Sequence, residues 1–298
     1  MLNIYVIGCG GIGGYLTEML PMAIASLSLD ILQSKGMSIQ AYLDKAGNIA
    51  LPCVADRLTL VDGDIFNARN SLRQGAGAGS KLAQRMQDIQ HSVVRLSYLQ
   101  NMKLVGYNAY VNPANMSQII PEHPEINPDN ADAAMKYGSD RPADCPRLLD
   151  NSVVFLCVDN LKTRYEVSKY MENFQNCLVI NGGNEKTSGH VTLYERRNGE
   201  ALDPNIYDVY PNITPDADKR PDEEACTEMS PKHDQIAVTN SIVANIMIAS
   251  FNRWARSGLT QTEGTGERKR TVRKNEVIID TDRMSMISVY HPLGTPSK

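Results

Sequence analysis

Val61-Asp62-Gly63-Asp64 is followed, six residues on, by Asn70-Ser71-Leu72-Arg73-Gln74. An acid at the end of an apolar run is placed to accept the hydroxyls of a ribose. An Arg with a planar fork of donors, flanked by Asn and Gln, is suited to phosphate oxygens. Upstream, Gly8-Cys9-Gly10-Gly11-Ile12-Gly13 follows the apolar run Ile4-Tyr5-Val6-Ile7 and precedes a helical pattern of Leu16, Met19, Leu20 and Ile24. Strand, glycine loop and helix together form the context in which Gly-x-Gly-x-x-Gly reads as a nucleotide loop. Gly8, Gly10, Gly11 and Gly13 permit a tight turn and let a phosphate approach backbone N–H groups at a helix N-terminus. That loop alone points to NAD. A hydride-transfer site has no evident need of Asn70, Arg73 and Gln74 beyond the second strand, whereas a site that must neutralise a triphosphate does.

Two further groups extend this chemistry. Lys81 opens the next helix, predicted over about 81–92, and offers a point charge for phosphate. Asp159 closes the apolar run Val153-Val154-Phe155-Leu156-Cys157-Val158. A carboxylate there suits Mg²⁺, which takes one or two protein oxygens and completes its shell with water and phosphate. The alternative for Asp159 is an N-cap of the helix that starts near Leu161. Arg164 either pairs with Asp159 or holds that helix in place.

The order Gly-x-Gly-Gly-x-Gly, Leu-Val-Asp-Gly-Asp, Asn-x-x-Arg-Gln resembles the ThiF/MoeB/ubiquitin-activating group of adenylating enzymes. Gly79-Ser80-Lys81 stands where that family has a lysine on the next helix. Val158-Asp159-Asn160-Leu161-Lys162-Thr163-Arg164 resembles its Asp-Asn-x-x-Thr-Arg stretch, and Cys226-Thr227-Glu228 is a weaker echo ahead of a long apolar helix. The resemblance covers about residues 1–256. It implies a Rossmann-like, doubly wound, mostly parallel sheet with a long crossover loop. It also implies ATP and Mg²⁺ as ligands and adenylation of the C-terminal carboxylate of a small ubiquitin-like or sulfur-carrier protein, with release of pyrophosphate. On the matching positions, Gly8, Gly10, Gly11, Gly13, Asp62, Asp64, Asn70, Arg73, Gln74, Lys81, Asp159 and Asn160 would bind the nucleotide. Arg73, Lys81, Asp159 and Cys226 would carry the reaction, and Asp159 would hold the metal.

Cys226 has two readings. It either accepts the activated acyl group or sulfur, or is an unreactive loop cysteine. Glu223, Glu224 and Glu228 beside it raise rather than lower a thiol pKa. The chain also departs from the family. The arginine-bearing helix that many relatives place before the first strand has no counterpart, so another arginine substitutes or the dimer geometry differs. The four zinc cysteines of many bacterial members are missing, and no structural zinc is expected. Two competing functions share the glycine loop: an NAD(P)-dependent oxidoreductase, which leaves Asn70, Arg73, Lys81 and Asp159 unexplained, and a non-catalytic nucleotide-binding regulator.

The bulk properties narrow the partners. Of 298 residues, 42% are hydrophobic, enough for a sizeable α/β core, and the net charge of −4 gives no reason to expect nucleic acid or an anionic membrane. Six cysteines without a Cys-x-x-Cys pair point to reduced thiols and a cytoplasmic protein. The longest apolar helix is expected at about 236–254. Asn240, Ser241, Asn245 and Asn252 interrupt it, which favours a buried or interface helix over a membrane span, and its surplus of apolar residues points to a homodimer. Along the chain, residues 36–56 read as an insertion with a small hairpin or loop, 103–111 as a strand, and 177–181 as a strand ended by Gly182-Gly183. Residues 203–229 read as the crossover loop and 261–274 as a polar linker. Residues 276–290 read as a terminal β-hairpin, and 257–298 as a linker and strands packed on the one adenylation domain.

Overall fold

The structure, a computed structural model, describes residues 2–34, 53–66, 79–95, 99, 102–122, 151–219, 237–263 and 270–293. β1 (Leu2–Ile7) is buried along its whole length, and β4 (Asn151–Leu156) and β5 (Cys177–Asn184) are similarly apolar. Such unbroken apolar runs form strands covered on both faces, the signature of a parallel sheet between helix layers. β1 pairs in parallel with β2 (Ala55–Val61) and with β4; β2 pairs with β3 (Lys103–Tyr107), and β4 with β5. Beyond β5 the sheet turns antiparallel through β6 (Ser188–Arg197), β10 (Glu276–Asp280) and β11 (Ser285–Val289), while the short β7 (Glu200–Ala201) pairs with β6. The full order is β11-β10-β6-β5-β4-β1-β2-β3. This is an α/β, Rossmann-like, mostly parallel sheet with antiparallel strands at its C-terminal end.

Helices cover both faces. α1 (Gly11–Ser34), α2 (Lys81–Arg95) and α6 (Ala237–Ser257) lie on one, where Leu16, Ile24, Val243, Met247 and Phe251 join Ile4, Leu58, Phe155 and Ile180 in one core. α4 (Leu161–Tyr170) and the single turn α3 (Met116–Ile119) lie on the other, over Tyr5, Val154 and Val179. Between β7 and α6, the crossover segment begins with the short α5 (Ile206–Val209), closed by a reciprocal cap between Asn205 and Asp208.

Several expectations are corrected. Gly182-Gly183 do not end β5, which runs on to Asn184 because β6 continues to pair with it, Gly183 opposite His190. The third strand stops at Tyr107, after which the backbone turns at Ala109–Tyr110 against Gly63. Within 261–274, β8 (Thr260–Glu263) and β9 (Arg270–Arg273) pair as a hairpin where a linker was expected. Its end is held by charge. Arg273 pairs with Asp203 at 2.5 Å and Glu195 at 2.6 Å, both carboxylates nearly without solvent contact. The 36–56 insertion lies outside the described residues up to 52, and β2 already begins at Ala55. Among the described residues α1, not the later helix, is long and apolar enough to cross a membrane, with mean hydropathy 1.2 over its window and 67% of that window buried in the protein. Packing against α2 and α6 accounts for that apolarity.

Candidate nucleotide site

The strand order reverses at β1, which lies between β2 and β4. In open α/β sheets ligands bind in the crevice outside the carboxyl ends of the strands at such a point. The three strands leave the sheet side by side. The Gly8 amide donates to the Val61 carbonyl at 2.9 Å, and the Cys157 amide to the Ile7 carbonyl at 2.8 Å. Gly8 has φ +88°, and a Cβ there would lie 2.9 Å from the Cys157 main chain. A Cβ on Gly13 would fall 1.8 Å from the Gly8 carbonyl oxygen. The loop therefore folds back on itself so tightly that only hydrogen fits.

Asp62 stands just beyond β2 and is buried. One carboxylate oxygen accepts the Cys9 amide at 2.6 Å and the other the Asp64 amide at 2.7 Å. The acid thus locks the glycine loop to the turn after β2, with further lone pairs left over for a ribose. Burial pushes its pKa up, against the pull of the two amides and of Lys81.

Lys81, the first residue of α2, is buried except for its contact with the half-exposed Asp64, whose carboxylate it meets at 2.5 Å. Residues 64–66 run antiparallel to 79–81: Ile65 bridges Ser80, and the Phe66 amide donates to the Gly79 carbonyl at 2.8 Å. Phe66 and Gly79 are thereby held side by side, Gly79 two residues from Lys81. Asn70, Arg73 and Gln74 lie outside the described residues, as does Cys226.

Asp159 is exposed three residues beyond β4, just after the Cys157–Val158 backbone against which Gly8 packs. Asn160 caps α4: its side-chain oxygen accepts the Thr163 amide at 2.7 Å. The two preceding amides, of Leu161 and Lys162, donate at 2.8 Å to the carboxylate of Asp218, which reaches in from the crossover segment. Arg164 anchors the helix and also feels the charge of Asp159, which favours its protonated form. It is buried and donates to the Asn181 side chain and to the carbonyls of Val158 and Gly182, tying α4 to the ends of β4 and β5. Among the described residues no group of three or more His, Cys, Asp or Glu could hold a metal. A single carboxylate such as Asp159 fits Mg²⁺ only where phosphate and water complete the shell.

The described thiols Cys9, Cys53, Cys157 and Cys177 are all buried. Burial pushes Cys53, Cys157 and Cys177 up to about 12, and Cys9 well above its usual range with Asp62 adding to the effect. None is a nucleophile at neutral pH.

Three residues near the crevice went unnoticed in the sequence. Asp218 carries no local signal, because its role depends on the crossover segment returning to α4. Arg85, one turn after Lys81, fills the space left by Gly14 on α1 and lies over the Phe66 ring at 5.7 Å. The four-residue spacing from Lys81 would have revealed it. Asn240, in the first turn of α6, faces Gly11. In the sequence it stands as an interruption of an apolar helix, yet a polar residue on a buried stripe is itself a signal.

No family model matches this chain, and no curated protein does. Solved structures share its fold. A crystal structure of PaaA superposes with a TM-score of 0.52 at 13% identity, covering 97% of this chain and 73% of PaaA. Escherichia coli MccB with ATP gives 0.52 at 14% identity, covering 99% of this chain and 66% of MccB. The same protein with MccA gives 0.53 at 13% identity. The chain thus spans about two thirds of the length of MccB, and at these identities the likeness is one of fold.

Proposed function

We propose that this chain is a ThiF/MoeB-like adenylyltransferase that binds ATP with Mg²⁺ and activates the C-terminal carboxylate of a small ubiquitin-like or sulfur-carrier protein. One observation carries the reading: Asp62, just beyond β2, ties the Cys9 amide of the glycine loop to the Asp64 turn, where Lys81 at the start of α2 meets the Asp64 carboxylate. The ATP and the MccA found with MccB in structures of the same fold support a nucleotide and a second molecule as ligands.

ATP with Mg²⁺ would supply an electrophilic α-phosphorus and a pyrophosphate leaving group. The residues of the chain do the rest. The glycine-loop amides and the α1 N-terminus receive phosphate oxygens. Lys81 exchanges Asp64 for phosphate, Arg73 adds a second positive charge, and Asn70 and Gln74 steady that clamp. Asp62 orients the ribose, Asp159 holds the metal, and Asn160 keeps the start of α4 in place. Cancelling charge between two anions and holding them in line is the main catalytic demand of such a step. Cys226 is the proposed acceptor for a following transfer.

Homodimerisation belongs to the same reading. Val243, Met247 and Ile248 of α6 are buried within the subunit. Besides Val238 at the start of α6, exposed apolar side chains lie on β10 and β11: Ile278, Met286 and Ile287. β11 is an uncharged sheet edge without proline, able to pair with its own copy about a twofold axis.

The test is calorimetric titration with ATP–Mg²⁺ and NAD in parallel, followed by ATP–pyrophosphate exchange with small proteins ending in Gly-Gly. ATP binding and exchange are expected. NAD binding without ATP binding overturns the reading in favour of an oxidoreductase. The regulator is favoured by Asp218 and Asp64, which occupy the α4 amides and Lys81; ATP binding without exchange would establish it.

A further inference from the structure

We infer that Asn240, on α6, is a nucleotide-phosphate ligand: its side-chain N–H donates to a phosphate oxygen held at the N-terminus of α1. This rests on the nucleotide reading above and adds a contact from a helix outside the motifs. Asn240 has no solvent exposure, and its Nδ2 is buried without a hydrogen-bond partner. The orientation of the amide is fixed, because Oδ1 accepts the Asn184 side-chain N–H at 2.7 Å. The same turn of α6 is pinned by the Thr239 hydroxyl, which donates to the Lys186 carbonyl at 2.9 Å. The nitrogen is therefore the end turned toward the loop. A Cβ on Gly11 would lie 2.5 Å from Nδ2, 3.0 Å from Cγ and 3.2 Å from Oδ1.

Gly11 is the first residue of α1, and the first intrahelical bond runs from the Gly14 amide to the Gly10 carbonyl at 2.7 Å. The amides ahead of that bond lack helical partners and carry the positive end of the helix dipole. A buried donor left unpaired is costly, and buried polar groups are ordinarily satisfied. A donor beside a helix N-terminus is satisfied by an anion. This also gives Gly11 a role separate from the turn: it leaves room for the amide of α6 to approach.

The experiment compares ATP and adenosine binding by calorimetry in the wild type, Asn240→Asp and Asn240→Ala, with thermal unfolding of each. Asn240→Asp keeps the acceptor for Asn184 and replaces the unpaired N–H with an anionic oxygen. Its ATP affinity should fall about 10- to 100-fold while adenosine affinity is unchanged. Asn240→Ala, which adds no charge, should weaken ATP about tenfold and carries the comparison if the aspartate variant does not fold. A purely structural role would lower both affinities together with the melting temperature, and that result overturns the assignment. Wild-type ATP affinity in Asn240→Asp also overturns it while leaving the adenylyltransferase reading intact. A wild type that binds no ATP overturns both.

Discussion

Replacing Asp62 by Asn tests whether this acid organises the site as well as binding ribose. The change keeps the shape of the side chain but leaves one oxygen where there were two. Both oxygens are engaged by amides, from Cys9 at 2.6 Å and Asp64 at 2.7 Å. One of those amides would then face an NH₂ group. Losing a charge-assisted hydrogen bond costs about 1.5–3 kcal/mol. Part is returned, because burial disfavours the Asp62 carboxylate and the variant removes that charge. A net loss of about 1–2 kcal/mol follows, or roughly 2–6 °C in melting temperature for a chain of this size. Binding should suffer further, since the glycine loop loses its tie and the ribose its charged acceptor. AMP and adenosine should both weaken by about tenfold or more, in contrast to Asn240→Asp, which should spare adenosine. Urea unfolding and calorimetry on the purified variant measure the two effects. Wild-type stability together with wild-type adenosine affinity would refute both roles of Asp62.

Three other outcomes follow from the same geometry. Lys81→Ala, like Arg73→Ala, should lower ATP–pyrophosphate exchange about 10²- to 10³-fold with little change in melting temperature, and near-normal exchange in both would remove the phosphate-clamp assignment. His190, half-buried near the Arg164 guanidinium and facing Glu276 and Tyr210, has its pKa pushed from 6.5 down to about 4, first by desolvation. The unfolded chain therefore takes up a proton below pH 6.5 that the folded protein refuses until about pH 4. Stability should fall as pH drops through that window, by at most about 3 kcal/mol. His190→Gln should flatten this limb in urea titrations, and an unchanged slope would discount the histidine. Cys226→Ala should still release pyrophosphate yet fail at the following transfer; completion of the whole reaction at the wild-type rate would assign the cysteine to structure.

Much of the scaffold was legible because its signals are local. The apolar run before Gly8, the helix after Gly13, the strands ending at Val61 and Leu156, and the hairpin turning near Asp282 each follow from periodicity and turn residues. Where the reading failed, a partner strand overruled the local signal. Gly182-Gly183 reads as a terminator, but eight consecutive pairings with β6 carry β5 through it. The polar stretch after Gly258 reads as a linker, but β8 and β9 pair with each other, and Arg273 at the end of β9 finds Asp203 and Glu195.

The sequence by itself determined the class of the fold and the nucleotide loop, because strand, glycine turn and helix are encoded within a few dozen neighbouring residues. It also placed Asp62, Lys81 and Asp159 at the ends or starts of elements, where parallel sheets put their chemistry. Only the tertiary structure decided what those groups touch. Asp62 closing on the Cys9 amide, Asp218 capping α4 from 57 residues away, and Asn240 turning an unpaired N–H toward Gly11 all depend on segments distant in the chain. Such contacts arise from the packing of α6 on α1 and the return of the crossover segment to α4. Periodicity records which face of an element is buried, and carries no information about which distant residue will meet it there.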